Sequence, residues 1–250
     1  MWKAKHWILH GMKRSGNHAV IDWILENKPS IAHINNPFEI MQELDQPGYF
    51  SFPVSMKRLI ANRKRRKKTI FSFWPRRHLV SIEDWPVSAP LVDCQENSLN
   101  IILVRDPKNL FASRIRRASA RPHGAYPQRM DATMRRAALV WLDHASEYFG
   151  DTTHLTNKVC IHFDRWLVDA QYRTNVANQL GVTSVKDPPQ KRAREGGGSS
   201  FHARAQMDAS EMDSLRLRWE LLDGKERALL EEVMAVPGME EMRSRLVAKE

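Results

Sequence analysis

The sequence predicts an α/β fold of three layers, a central parallel sheet between helices, with a P-loop-like strand–loop–helix start and a helical C-terminal part. Three observations predict it. The chain opens with the apolar run Trp7-Ile8-Leu9-His10, a loop bounded by Gly11 and Gly16, and an apolar helical pattern over 19–25. Further on, Ile101-Ile102-Leu103-Val104 is the continuous apolar run that a strand buried on both faces requires. Strand and helix patterns alternate throughout residues 6–180. A length of 250 residues suits one domain over 1–250, an α/β core at 1–205 followed by C-terminal helices at 206–250.

Each element has a local reason. Lys28-Pro29-Ser30 breaks the first helix, and 31–36 reads as a short strand or an extended turn. Pro37 opens a helix over 38–44 that Asp45-Gln46-Pro47-Gly48 ends. The run 55–68 holds Lys57, Arg58, Arg63, Lys64, Arg65, Arg66, Lys67 and Lys68. It reads as a solvated amphipathic helix, or as a landing patch for an acidic acceptor or an anionic lipid headgroup. The β-branched and aromatic runs 69–74 and 79–83 read as strands. Glu83 and Asp84 close the second of them, at the strand end where open α/β sheets collect their chemistry.

Arg105-Asp106-Pro107 follows the apolar run 101–104, and Pro107 is placed to start a helix at Lys108 that ends in Arg114, Arg116 and Arg117. Ala137, Val140, Trp141, Ala145 and Tyr148 recur at helical spacing, which predicts a long helix over 132–149. A strand over 159–163 and a helix over 170–180, stopped by Gly181, come next. Lys191, Arg192 and Arg194 precede Gly196-Gly197-Gly198-Ser199-Ser200-Phe201, either a surface linker or a second anion-binding loop. Helices are predicted over 209–222, capped by Asp208, over 225–236 and over 238–248.

The opening loop carries the chemistry. A glycine-bounded turn into a helix leaves backbone amides aimed at one point, where the helix dipole also favours negative charge. Lys13 and Arg14 add two cations, so the ligand such a cradle suits is a phosphate; the plain alternative is a tight turn with incidental basic residues. Asn17-His18 stand where the nucleotide-binding motif places Lys and a Ser or Thr, so the hydroxyl that would hold Mg²⁺ is missing.

Composition agrees with an anionic ligand. Lys and Arg number 39 against 29 Asp and Glu, a net charge of +10, which favours anionic partners without choosing among them. The basic run lacks interleaved aromatics, so nucleic acid is not the expected partner. Cys94 and Cys160 have no ligand spacing and suggest neither a disulfide nor a zinc site. With no signal-peptide pattern and no apolar run of membrane-spanning length, a cytoplasmic chain is expected, with membrane contact at most peripheral.

Two of these elements together carry a family resemblance. The Gly11–Gly16 loop and the stretch from Ile101 to Arg114 resemble the two nucleotide-binding signatures of PAPS-dependent sulfotransferases. The resemblance implies PAPS (3′-phosphoadenosine 5′-phosphosulfate) as donor co-substrate and no metal. Lys13, Arg14, Ser15, Gly16, Asn17 and His18 would then surround the 5′-phosphosulfate, with Arg105 and Ser113 on the 3′-phosphate. Ile161-His162-Phe163-Asp164 resembles the strand whose aromatic residue, here Phe163, packs against adenine. Arg194 to Phe201, with Gly196, Gly197 and Ser199, resembles the late loop closing on the 3′-phosphate.

The family's loop usually reads Lys-Ser-Gly-Thr-Thr where this chain has Arg14-Ser15-Gly16-Asn17-His18, and its Lys-Thr-His base segment has no counterpart. Glu83 stands at about the right distance before Arg105 to replace that histidine. The implied reaction moves a sulfuryl group to an acceptor hydroxyl. Arg14, then Lys13, is the cation for the bridging oxygen, and the base is ranked Glu83, His33, Glu39. The acceptor is a hydroxylated small molecule, glycan or glycolipid, and the net charge favours an acidic one. Two alternatives stay open: a P-loop kinase or other phosphotransferase, and a basic module binding nucleic acid or an anionic membrane. No motif bears on oligomeric state.

Overall fold

The computed structural model describes residues 6–35, 77–89, 98–119, 130–182 and 216–249. Expectations for the stretches 36–76 and 190–201, Cys94, Glu39, Arg194, Gly196, Gly197 and Ser199 lie outside the described residues. Five strands form one sheet: β1 (His6–Gly11), β2 (Ile31–Asn35), β3 (Arg77–Glu83), β4 (Ser98–Val104) and β5 (Lys158–His162). Their order is β2-β3-β1-β4-β5 and every pairing is parallel. The chain turns one way from β1 towards β3 and β2 and the other way towards β4 and β5, so the carboxyl end of β1 lies at the switch point where open sheets bind ligands.

Helices cover both faces. Trp7 and Leu9 of β1, Leu99, Ile101 and Leu103 of β4, and Val159 and Ile161 of β5 alternate onto one face, where α1 (Asn17–Asn27) packs Val20, Ile21, Trp23 and Ile24 against them. The short α4 (Phe163–Val168) and α5 (Ala170–Gln179) complete that side with Phe163, Trp166 and Val176. Trp23 and Trp166 meet edge to face, centroids 5.6 Å apart. Each such fully buried side chain contributes about 1.5–3 kcal/mol, which makes α1 an anchored platform for the loop before it. The other side is built by α2 (Pro107–Ser119), α3 (Ala132–Phe149), α6 (Gly224–Met234) and α7 (Met239–Val247). There Met12, Phe111, Trp141, Leu230, Val233, Met239 and Leu246 share one cluster.

Caps explain the boundaries. Asp131 opens α3 by accepting from the Met134 amide at 2.7 Å, and Gly150 closes it in the left-handed conformation. Asp223 and Glu226 form a reciprocal capping box on α6. Among the described residues no helix is long and apolar enough to cross a membrane.

Two expectations need correction. The last strand ends at His162, and Phe163 opens α4. Phe163 still packs with Val159 and Ile161, so alternation carries on while the backbone turns, and periodicity does not register the switch. The described part of the helix expected over 209–222 is a 3₁₀ helix, Arg218–Leu221. Asn109 of α2 accepts from the Arg218 amide at 3.0 Å and donates to the Arg216 carbonyl, taking up backbone groups that α-helical bonds would need.

Candidate active site at the carboxyl edge of the sheet

Neighbouring strand ends deliver the site. β1 runs into the loop 12–16, β3 ends in Glu83 and Asp84, β4 in Arg105 and Asp106, and β5 leads to Asp164. The register sets Gly11 beside Glu83, which places a carboxylate at the root of the loop.

The loop is a strapped turn. Its backbone closes with the Ser15 amide donating to the Met12 carbonyl at 3.0 Å, while Ser15 Oγ accepts from the Met12 amide at 3.2 Å. Arg14 (φ 75°) and Gly16 (φ 94°) are both left-handed, and turns alternating in this way make anion-binding concavities. Both glycines are required by their neighbours: the Asn17 carboxamide fills the space of a Cβ at Gly11, and the Phe163 ring that of a Cβ at Gly16. Asp84 accepts from the Lys13 amide at 3.0 Å and from the Arg114 guanidinium, and Arg114 Nε donates back to the Lys13 carbonyl at 3.1 Å.

Arginines converge on the loop. Arg14 Nε donates to Ser113 Oγ at 2.9 Å, and Arg105 Nη1 donates to the Arg14 carbonyl at 3.0 Å. Arg105 is buried, 3.5 Å from Asp164 Oδ1 and 5.1 Å over the Phe163 ring. Burial opposes the charge on Asp164, yet His162, Arg105 and the Asp106 amide outweigh it and hold this carboxyl below its ordinary value. Burial lowers the pKa of Arg14, and Arg117, Arg105 and Arg114 lower it further. Burial, with Arg105 and Arg14 nearby, pushes Arg218 down to about 9. A buried pole of like charges is costly alone and is relieved by an anion.

The carboxylate beside the pole is Glu83. Asn17 Nδ2 donates to Glu83 Oε1 at 2.7 Å and to the Met12 carbonyl at 3.1 Å, and His18 Nε2 lies 4.0 Å from the same glutamate oxygen. His33 is elsewhere. It pairs in register with Leu79, four residues before Glu83, and its ring shares a 2.9 Å hydrogen bond with Ser81, two residues before Glu83.

The structure therefore brings together Lys13, Arg14, Ser15, Gly16, Asn17, His18, Glu83, Arg105 and Ser113, and leaves His33 apart. Phe163 lies beneath Gly16 and Arg105, stacked with Trp166 and 5% exposed. Asp84, Asp164 and Arg218 are further participants. The two aspartates stand directly after a strand and a strand-to-helix switch, a positional signal. Arg218 has no signal in the sequence, because its place depends on Asn109 holding a distant backbone.

Comparison with known proteins bears on the fold. No family model matches the sequence, and no curated protein matches it. Among solved structures, mouse sulfotransferase SULT7A1 complexed with PAP is similar at a TM-score of 0.52 and 15% identity, over 100% of this chain and 90% of that one. The sulfotransferase domain of the Synechococcus PCC 7002 olefin synthase gives 0.48 and 13%, over 92% and 95%. That of the curacin biosynthetic pathway gives 0.46 and 11%, over 100% and 98%.

Proposed function

We propose that this chain, which has the sulfotransferase fold, moves a sulfuryl group from PAPS to the hydroxyl of an acceptor. One observation carries the reading. Arg14 reaches Ser113 while Arg105 binds the carbonyl of the same Arg14, so loop and strand-end cations form one connected cationic pole with Glu83 alongside. A donor with two anionic groups, such as PAPS, matches a pole that spans loop, strand end and helix. It supplies a sulfuryl group activated by its link to phosphate.

The chain's own residues divide the work. Loop residues 13–16 cradle the phosphosulfate end, and Arg105, Ser113 and Arg218 hold the nucleotide's other phosphate. Arg14 stabilises the charge that grows on the bridging oxygen as the bond to sulfur breaks. Glu83 takes the proton of the attacking hydroxyl. The position whose hydroxyl would hold Mg²⁺ in the nucleotide-binding motif is His18, whose side chain carries no oxygen; this weighs against a Mg²⁺-nucleotide phosphotransferase.

Titration with PAP in a Mg²⁺-free buffer tests the reading. PAP should raise the melting temperature, and Arg105→Ala or Ser113→Ala should abolish that rise. Labelled PAPS screened against hydroxylated small molecules and glycans should then give turnover that Glu83→Gln removes while PAP binding persists. A chain indifferent to PAP and stabilised by Mg-ATP would overturn the proposal in favour of a kinase.

A further inference from the structure

Asn17 departs from the resembled loop, and its surroundings give it a task. It is the first residue of α1 and 2% exposed. Its two amide hydrogens go to the Met12 carbonyl and Glu83 Oε1, and its Oδ1 faces the Ser15 hydroxyl at 2.8 Å. A side chain so committed cannot also bind a donor oxygen. Gly11, whose missing Cβ is the space the carboxamide occupies, is paired in register with Glu83. Three chain segments thus meet around one amide: the β1 end, the loop and the β3 end. His18 turns towards the same Glu83 oxygen at 4.0 Å.

We propose that Asn17 is a positioning residue for Glu83, tying the carboxylate to the donor loop so that cradle and proton acceptor form one rigid unit. The inference rests on the reading of Glu83 as base. An amide donor on Oε1 fixes the carboxylate rotamer beside the loop. General bases contribute only when held within hydrogen-bond reach of the proton they take. The donor site and the base are then coupled through a single side chain, and the chemistry at position 17 changes turnover without changing donor affinity.

The test is kinetic and thermodynamic on the full chain. Asn17→Leu keeps volume and charge but removes the donor. It should lower kcat by about 10- to 100-fold, a share of what a general base supplies, with PAP affinity and the KM for PAPS within about threefold. Loss of PAP affinity in step with turnover would make Asn17 part of the donor cradle and overturn the proposal, as would wild-type turnover. Should Asn17→Leu fail to fold, Asn17→Asp, isosteric with an acceptor facing Glu83, carries the same expectation for kcat. The double variant Asn17→Asp with Glu83→Gln reverses donor and acceptor across the bond, so it should recover melting temperature lost in the singles but not turnover. A double variant no more stable than the singles would refute the bond itself. Wild-type chain that binds no PAP would overturn the proposed function instead, while this stability cycle would still report on the Asn17–Glu83 bond.

Discussion

His10 stands one residue before the loop and is buried on the face opposite α1, donating from Nε2 to Asn100 Oδ1 at 3.1 Å. Burial lowers its pKa from 6.5 to about 4; Asn100 and Glu147 pull it up and His144 down. Burial also lowers His144, which bonds the Trp85 carbonyl at 2.8 Å. The unfolded chain protonates His10 near 6.5, the folded chain only near 4, so across that window the unfolded state holds more protons. Stability is therefore full above about pH 6.5 and declines as pH falls towards 4, by about 3 kcal/mol from His10 alone. Urea denaturation at pH 7 and 4.5 checks this, and His10→Leu should flatten much of the slope. A histidine kept neutral here keeps a positive charge out of the core beneath the loop.

At the scale of elements, the loop depends on glycines whose reasons differ. Gly16 needs both its positive φ of 94° and the space taken by the Phe163 ring. Gly16→Ala should therefore cost about 1–2 kcal/mol for the left-handed backbone alone, and more for moving a ring wedged under Arg105. Chemical denaturation measures the loss, and PAP binding should fall with it, because the same displacement disturbs Arg105. Arg14, left-handed without being glycine, stores strain of the kind that collects at functional turns. The straps from Asp84 and Arg114 are what hold it.

Across the whole molecule, the C-terminal segment belongs to the site. Leu222, Leu229, Val233, Met239 and Leu246 share a core with Met12 and Phe111, and the 3₁₀ helix at its start brings Arg218 within electrostatic range of Arg105 and Arg14. If Arg218 holds a donor phosphate, Arg218→Ala should weaken PAP about tenfold or more, the scale of one charge-assisted hydrogen bond. Calorimetric titration reads that directly. The same variant should raise stability without PAP, since it removes a buried charge repelled by two neighbours; a loss of ligand-free stability would count against the like-charge account.

The sequence by itself determined the layers and the loop. Strand period, helical spacing, Gly181 as a stop and Pro107 as a start are local properties, and the described elements stand close to where those properties put them, apart from the switch at Phe163 and the 3₁₀ helix at Arg218. Arg105 and Ser113 were singled out by the family resemblance, and one strand end and the helix that follows it fix where they stand. Tertiary structure alone decided which candidate base stands beside the loop, since the register of β3 sets Glu83 next to Gly11 and His33 next to Leu79. It also decided that Asn17 turns inward to a partner 66 residues away, and that Arg218 is held by one 109 residues away. The physical reason is the same in each case. A side chain's identity is written locally, but its direction is set by whichever distant segment packs against it.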